Sequence, residues 1–436
     1  MTHSSAWPLT IVFTGFIAVG YGFGIYLFPA ISPLMRPELS LQLSALGDIA
    51  SAQQLGFLAG SALVGRAVTT FGPRRIILVA MAASTLCLFG MAAIQSIWSL
   101  AALLIILNSA AVFAWAPMVS VVAHYVPYRH RGKALGFISS GTSYGVLING
   151  LLLAPLADQA GWRPTWVAAA TIAAGLLAAS LIVMRGLVRL PRQAQAADTY
   201  KDKDAVHALA AGGWPIVAIA VLGGMAGWPF LTYWSAFLQG ELHHSAALSS
   251  RTWSLVGLVG LIAGVSAGFL ADRIGPRAAL AVTACLLGLA GGLTALRPTS
   301  LTLFLAAACF GSSFNPTYGL LAATISKTSL AHHATALSAL VNAGLGVGTL
   351  IGEFLAALSD STFGSLRPIY VSTTVLAIAM LGLVIFALPN QQSTSASLAA
   401  ALRYAACTGR CKSHISTSAW YLRSCWTSSA VATSGS

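Results

Sequence analysis

Glu353 stands in an apolar, glycine-rich run, Gly344-Leu345-Gly346-Val347-Gly348-Thr349-Leu350-Ile351-Gly352-Glu353-Phe354-Leu355. An ionised carboxyl held at that depth in a bilayer costs roughly 2.5–3.5 kcal/mol on insertion scales. Such a group is suited to taking up and releasing a proton, or it lies in a hydrated vestibule. A second acid within an apolar stretch, Asp48, is four residues into its segment and serves either the same chemistry or the positive end of a helix. Polar and aromatic residues recur at similar depth: Tyr21 and Tyr26, Asn108 and Trp115, Tyr144 and Asn149, Trp228 and Tyr233, then Asn315, Tyr318 and Asn342. Apolar walls with a few placed polar groups fit a small organic molecule. For each aromatic the alternative is packing, and for each Asn a hydrogen bond between helices. No Lys or Arg occurs at this depth, which favours neutral, amphipathic or aromatic solutes, with small carboxylates next. The nine histidines fall in loops, in the tail or at segment ends. Convergent catalytic or metal-binding side chains are therefore not expected, and neither an enzyme nor a cofactor is implied.

The elements that position these residues are long and apolar. The chain has 436 residues, 57% hydrophobic and 8% charged, with a mean hydropathy of +0.80. A soluble domain carries about 25% charged residues, so water is not the main solvent. Since a spanning helix needs about 20 apolar residues, twelve spans are expected: 8–30, 45–65, 75–95, 98–122, 133–156, 165–185, 214–238, 252–271, 278–297, 300–324, 334–358 and 367–388. The fold class is thus all-α and polytopic. Met1 to Trp7 carries no Lys or Arg, and the first span reads as retained rather than cleaved.

Threading the chain through a membrane sorts its charge. With the N-terminus inside, fourteen of the 23 Lys and Arg fall in inner loops, five in outer loops and four in the tail. Positive charge marks the cytoplasmic face. The net charge of +13 is therefore topogenic, no nucleic-acid partner is implied, and both termini are expected in the cytoplasm with the chain multi-pass in the inner membrane. The six cysteines are scattered and form no disulfide framework. Residues 1–185 form a first six-span unit, 186–213 a basic cytoplasmic linker, 214–389 a second six-span unit, and 390–436 a Ser/Thr/Ala-rich tail without acids that reads as disordered. Trp98, Trp162, Trp166 and Trp214, at span ends, are expected as interfacial anchors.

The two units repeat. Gly268-Phe269-Leu270-Ala271-Asp272-Arg273-Ile274-Gly275-Pro276-Arg277 answers, 203 positions later, to Gly65-Arg66-Ala67-Val68-Thr69-Thr70-Phe71-Gly72-Pro73-Arg74-Arg75. Gly141 and Gly145 fall on Gly344 and Gly348 at the same offset, Arg163-Pro164 on Arg367-Pro368 at 204, and Pro117 and Pro316 hold similar mid-span places. Register kept over several motifs points to internal duplication.

Twelve spans as six plus six, a basic central loop and the G-x-L-A-D-R-x-G-P-R hairpin resemble the major facilitator superfamily of secondary transporters, over residues 8 to 389. The resemblance implies two six-helix bundles rocking about a central site, a monomer, and small-molecule substrate and protons as partners beside the lipid bilayer. It makes the hairpins an inner gate: Gly65, Gly72, Arg74 and Arg75 in the first half, Gly268, Asp272, Arg273, Gly275 and Arg277 in the second. Asp272 would then meet the start of span five, at Arg129 and Arg131. Thr69 and Thr70 stand where the family has Asp and Arg, so the lock is asymmetric. Arg131-Gly132-Lys133-Ala134-Leu135-Gly136, with Gly141, Gly145 and Gly161-Trp162-Arg163, resembles the monocarboxylate and organic-anion subgroup. The chain lacks that subgroup's mid-membrane Arg in span eight, and Val146 replaces the Pro of an antiporter signature. The leading expectation is proton-coupled alternating access. Its alternatives are a drug or metabolite efflux antiporter and, from another class, a non-transporting membrane sensor.

Overall fold

A helix satisfies its own backbone, which apolar surroundings require, and every one of the twelve expected spans is helical. The structure, a computed structural model, describes residues 6–126, 128–184, 206–296, 298–327 and 334–388. Residues 186–205 of the linker and the tail lie outside the described residues, as do the side chains of Arg129 and Arg131.

Helix α1 joins Ala6–Ile17, a π-helical stretch Ala18–Phe23, and Gly24–Leu39. It is followed by α2 (Ser44–Phe71), α3 (Pro73–Met91) and α4 (Ile97–Tyr125). Helix α5 is built of Tyr128–Ser139, Gly141–Ile148, a π-helical Asn149–Leu153 and Ala154–Ala160, and α6 is Trp162–Val183. In the second half α7 runs through Leu209–Gly213, Trp214–Thr232, Trp234–Ala236 and Phe237–Glu241. It is followed by α8 (Ala246–Ile274), α9 (Pro276–Leu296), α10 (Ser300–Lys327), α11 (Ala334–Phe363) and α12 (Arg367–Phe386). Local signals set several ends: Ser96 and Ser99 form a capping box at the start of α4, and Ser245 accepts from the Leu248 amide at the start of α8.

Among the described residues ten helices are long and apolar enough to cross a membrane. The two spans missing from that set, α2 and α10, carry Gln53 and Gln54, and Asn315, which line internal spaces. Their lower apolarity is the mark of an inward polar face.

The sequence repeat becomes a repeat of packing. In the first half α2 and α3 pack on α4, α3 on α6, and α1 on α5; in the second, α8 and α9 pack on α10, α9 on α12, and α7 on α11. The α1–α5 crossing is backbone against backbone, since a Cβ at Gly22 would come within 2.4 Å of the Gly145 Cα. The α7–α11 crossing repeats this, with a Cβ at Gly348 2.0 Å from the Val221 carbonyl oxygen. The two hairpins turn alike: Gly72 has φ 84° and ψ 150°, and Gly275 has φ 85° and ψ 151°, a conformation glycine adopts without strain. Pro73 and Pro276 then open α3 and α9.

Two more residues keep the 203-residue register at the opposite, distal end of the bundle. Glu38 at the end of α1 accepts from Trp162 Nε1 at 2.6 Å and pairs with Arg163, at the start of α6. Its counterpart Glu241, at the end of α7, accepts from the Leu366 amide at 2.7 Å and the Ser365 hydroxyl at 2.7 Å, just ahead of α12.

Some expectations need correction. Trp98 and Trp214 are exposed, as anchors should be, but Trp162 and Trp166 are buried and belong to the packing between helices. Gly65 and Gly268 have nothing near a Cβ position, so in this conformation they mediate no close approach.

Candidate functional site

The halves meet through two seams, α5 against α8 and α2 against α11. Both seams are tight toward the distal end. There Gly150 faces Ser254 and Ser250, Gly257 faces Leu147, and Gly47 faces Tyr233 and the Glu353 backbone. The Ser235 hydroxyl of α7 donates to the Ala30 carbonyl of α1 at 3.0 Å and accepts from Trp253 Nε1 of α8 at 2.8 Å. Toward the hairpin end they part: Gly260 still touches Ser143, but Gly264 and Gly268, next along the same stripe, meet nothing. Among the described residues the seams are closed distally and part toward the hairpins.

The candidate site lies just inside this closure. Its larger space is bordered by Tyr26 of α1, Gln53 and Gln54 of α2, Asn108 of α4, Trp228 and Thr232 of α7, and Thr349 and Glu353 of α11. Glu353 is 0% exposed. One carboxyl oxygen accepts from the Thr232 hydroxyl at 2.6 Å, while the other has no partner. Asn108 donates to the Gln53 carbonyl at 2.9 Å, which ties α4 to α2 and leaves its own Oδ1 without a partner. Gln53 Nε2 and Trp228 Nε1 are likewise buried and unpartnered. A buried polar group normally has a partner, so four such atoms on one space mark a place built to meet another molecule or a proton. The cavity volume is about 20 Å³, room for one water and not for an organic solute. A solute must therefore spread the walls.

Aromatic rings continue the wall. Tyr26 stacks on Trp228 with centroids 5.4 Å apart and planes 9° from parallel. The edge of Phe314 meets Trp228 at 5.9 Å, and Tyr318 meets Phe314 at 5.4 Å. A smaller space beyond Tyr26 is bordered by Ser143, Phe310, Phe314 and Asn315, and Asn315 reaches across the halves to donate to the Ser143 hydroxyl at 3.4 Å.

Of the residues singled out in the sequence, Tyr26, Asn108, Trp228, Asn315 and Glu353 border these spaces, and Tyr318 stands behind Phe314. Tyr21 and Trp115 are partly buried and pack against the core. Tyr233 is fully buried against Gly47. Others are placed elsewhere. Tyr144 is 38% exposed, turned out of the spaces with Phe137 and Leu151 of the same stripe. Asn149 donates to the Gly22 carbonyl at 2.8 Å, holding α5 to α1 at its π-helical stretch. Asp48 is exposed beside Gly47, and Asn342 is exposed where the halves part. Depth along a span is legible from sequence, but the rotation that chooses a face is not. Gln53, Gln54, Thr232 and Ser143 were missed; the pair Gln53-Gln54, two amides inside an apolar span, was the signal available.

Among the gating candidates, Arg277 reaches the last turn of α12, donating to the Val384 carbonyl at 2.9 Å and to that of Ile385. A cation at a helix C-terminus is stabilising. Thr69 and Thr70 bond back to the Arg66 carbonyl and reach no neighbouring helix through those bonds. Asp272 and Arg273 are exposed.

A family model described as Major Facilitator Superfamily matches residues 12–353. The chain is 33% identical over 204 residues to a multidrug resistance protein MdtG of Serratia proteamaculans (strain 568), covering 43% of this chain and 46% of that protein. It is 24% identical over 169 residues to a gallate transporter of Pseudomonas putida, covering 39% and 38%. The matched segments thus span less than half the length of these curated relatives. In fold it is similar to a nucleoside transporter NupG, with a TM-score of 0.70 at 14% identity over 87% of this chain and 99% of that one. It is also similar to a D-xylose-proton symporter, with a TM-score of 0.69 at 17% identity over 88% and 98%.

Proposed function

The chain belongs to the major facilitator superfamily and is a multi-pass membrane protein, and from that premise we propose that it is a secondary active transporter that moves a small organic solute by alternating access, coupled to protons through Glu353. The observation that carries this reading is a fully buried carboxyl, half-partnered, on the one larger space described between the halves. A carboxyl there is tolerable when protonated and costly when charged, so its proton and the solute are linked. The small size of the space fits an unloaded state. Solute must part the α2–α11 seam or enter from the hairpin end, where the halves already diverge. Rocking of residues 1–185 against 214–389 would close that end and release the Ser235–Ala30 bond at the other. The basic inner loops support an N-terminus in the cytoplasm, which makes this conformation inward-facing. The protein then sits in the inner membrane and works as a monomer.

A second reading, a drug or metabolite efflux antiporter, is favoured by the 33% identity to MdtG.

Thermal stabilisation of the purified protein tests the main reading. The panel is aromatic acids, small carboxylates, sugars and cationic drugs, each at an acidic and an alkaline pH, with Glu353→Gln alongside. A ligand that binds the folded state raises the melting temperature by mass action. One chemical class should stabilise the wild type in a pH-dependent way, and the pH dependence should vanish in Glu353→Gln. A shift that depends on pH equally in both proteins would remove Glu353 from the coupling.

A further inference from the structure

We propose that the solute is an organic cation with an aromatic body, seated against the Tyr26–Trp228 pair, and that Glu353 holds either the charge of that cation or a proton. This rests on the reading of Glu353 as the coupling group and adds the class of ligand and the sense of exchange.

Charge is the first ground. No Lys, Arg or His borders either space among the described residues, and Glu353 is the one acid that does. On the elements packed against Glu353, the titratable groups facing it are the phenols of Tyr26 and Tyr233, with the carboxyl of Asp48 exposed beside Gly47. An anionic solute would thus enter a site whose ionisable group is another anion, and would find no countercharge. A cation would find one.

The walls are the second ground. A cation is attracted to the face of Trp or Tyr within about 6 Å of the ring centroid, more strongly when water is excluded. Tyr26 and Trp228 lie parallel and border the same space as Glu353. Phe314 extends that wall toward the second space.

Partnerless acceptors are the third. The free Glu353 oxygen and Asn108 Oδ1 are buried on this space and suit the N–H groups of an amine. The two partnerless donors there, Gln53 Nε2 and Trp228 Nε1, suit a hydroxyl or ether oxygen on the same molecule. Charge balance then sets the direction. When the cation binds, the Glu353 proton leaves to bulk water, and when the proton returns, the cation is displaced. One proton moves against one positive charge.

Binding of radiolabelled tetraphenylphosphonium to the purified full-length protein tests this, with benzoate as the anionic aromatic control. The expected result is saturable binding that weakens about tenfold per pH unit on acidification, the slope of one displaced proton, with one proton released per ion bound in weakly buffered solution. Trp228→Ala should lose about tenfold in affinity and Trp228→Phe much less, as an aromatic face requires. Glu353→Gln should bind the cation weakly and without pH dependence, while keeping the melting temperature of the wild type within a few degrees. If it does not fold, Glu353→Asp should restore a pH-dependent signal. Binding of benzoate with proton uptake, and none of tetraphenylphosphonium, would overturn the cation assignment and leave proton coupling standing. Binding of tetraphenylphosphonium that ignores both pH and Glu353 would overturn both.

Discussion

The two seams between the halves occupy equivalent places and are built differently. Across the 203-residue offset Gly150 of α5 corresponds to Glu353 of α11, and Gly47 of α2 to Ser250 of α8. In the α5–α8 seam Gly150 admits the Ser254 backbone so closely that a Cβ would come within 2.3 Å of its nitrogen. In the α2–α11 seam the glycine lies on the other partner: Gly47 makes way for Tyr233 and the Glu353 backbone, and Glu353 borders the same space as Gln53, Gln54 and Asn108. One seam is backbone against backbone and suits a bearing. The other trades a glycine for a carboxyl and carries the chemistry. Duplication supplied two copies of one interface, and only one acquired a carboxyl at this position.

The largest effect is expected at the bearing. Gly150→Leu would drive a side chain into α8, with an overpacking cost of about 1–3 kcal/mol, and should slow solute exchange in proteoliposomes at least about tenfold, the rate equivalent of about 1.4 kcal/mol. Exchange at the wild-type rate would mean that the α5–α8 seam tolerates separation and is no bearing.

The hairpins offer a smaller contrast. They turn alike at Gly72 and Gly275, yet an acid stands in the second, whereas in the first the Thr69 and Thr70 hydroxyls donate back to the Arg66 carbonyl of their own helix. Asp272→Asn should therefore bias the molecule further toward the hairpin-open state. A population shift of up to about fivefold is the most that loss of an exposed ion pair worth about 1 kcal/mol permits. Labelling rates of single cysteines placed on the two faces would report it, and unchanged rates on both faces would sink the asymmetric lock.

The smallest contrast lies at the distal staples. Glu241 accepts a backbone amide ahead of α12, where Glu38 engages two side chains that are free to re-form with water. Glu241→Ala should lower the melting temperature more than Glu38→Ala, by a difference under about 1 kcal/mol, since a hydrogen bond to a charged group contributes about 1.5–3 kcal/mol in either place. Equal effects, or a larger one at Glu38, would show that the backbone contact is not the stronger tie.

How these differences read in the sequence follows from what sequence encodes. The twelve helices were legible because apolar runs of this length have no other solution in a bilayer, and the repeat because glycine contacts such as Gly145 and Gly348 cannot drift out of register. Glu353 was legible because charge at depth is costly. Tyr144 and Asn149 show the limit: they are consecutive in depth with residues that border the site, but helix rotation turns one outward and spends the other on a backbone carbonyl of α1. The Glu38–Glu241 correspondence was present at the same offset as the hairpins and went unread because neither residue lies near an apolar midpoint. The exchange of Gly150 for Glu353 carries meaning only once both seams are seen.

On this account the polar seam couples proton movement to the movement of solute. Proteoliposomes loaded with a pH-sensitive dye, and given the compound that stabilises the protein in the thermal panel, test it most directly. Wild type should move protons as solute crosses, whereas Glu353→Gln, given enough solute to offset its weaker binding, should still exchange labelled for unlabelled solute and move none. Proton movement of wild-type size in Glu353→Gln would contradict the account.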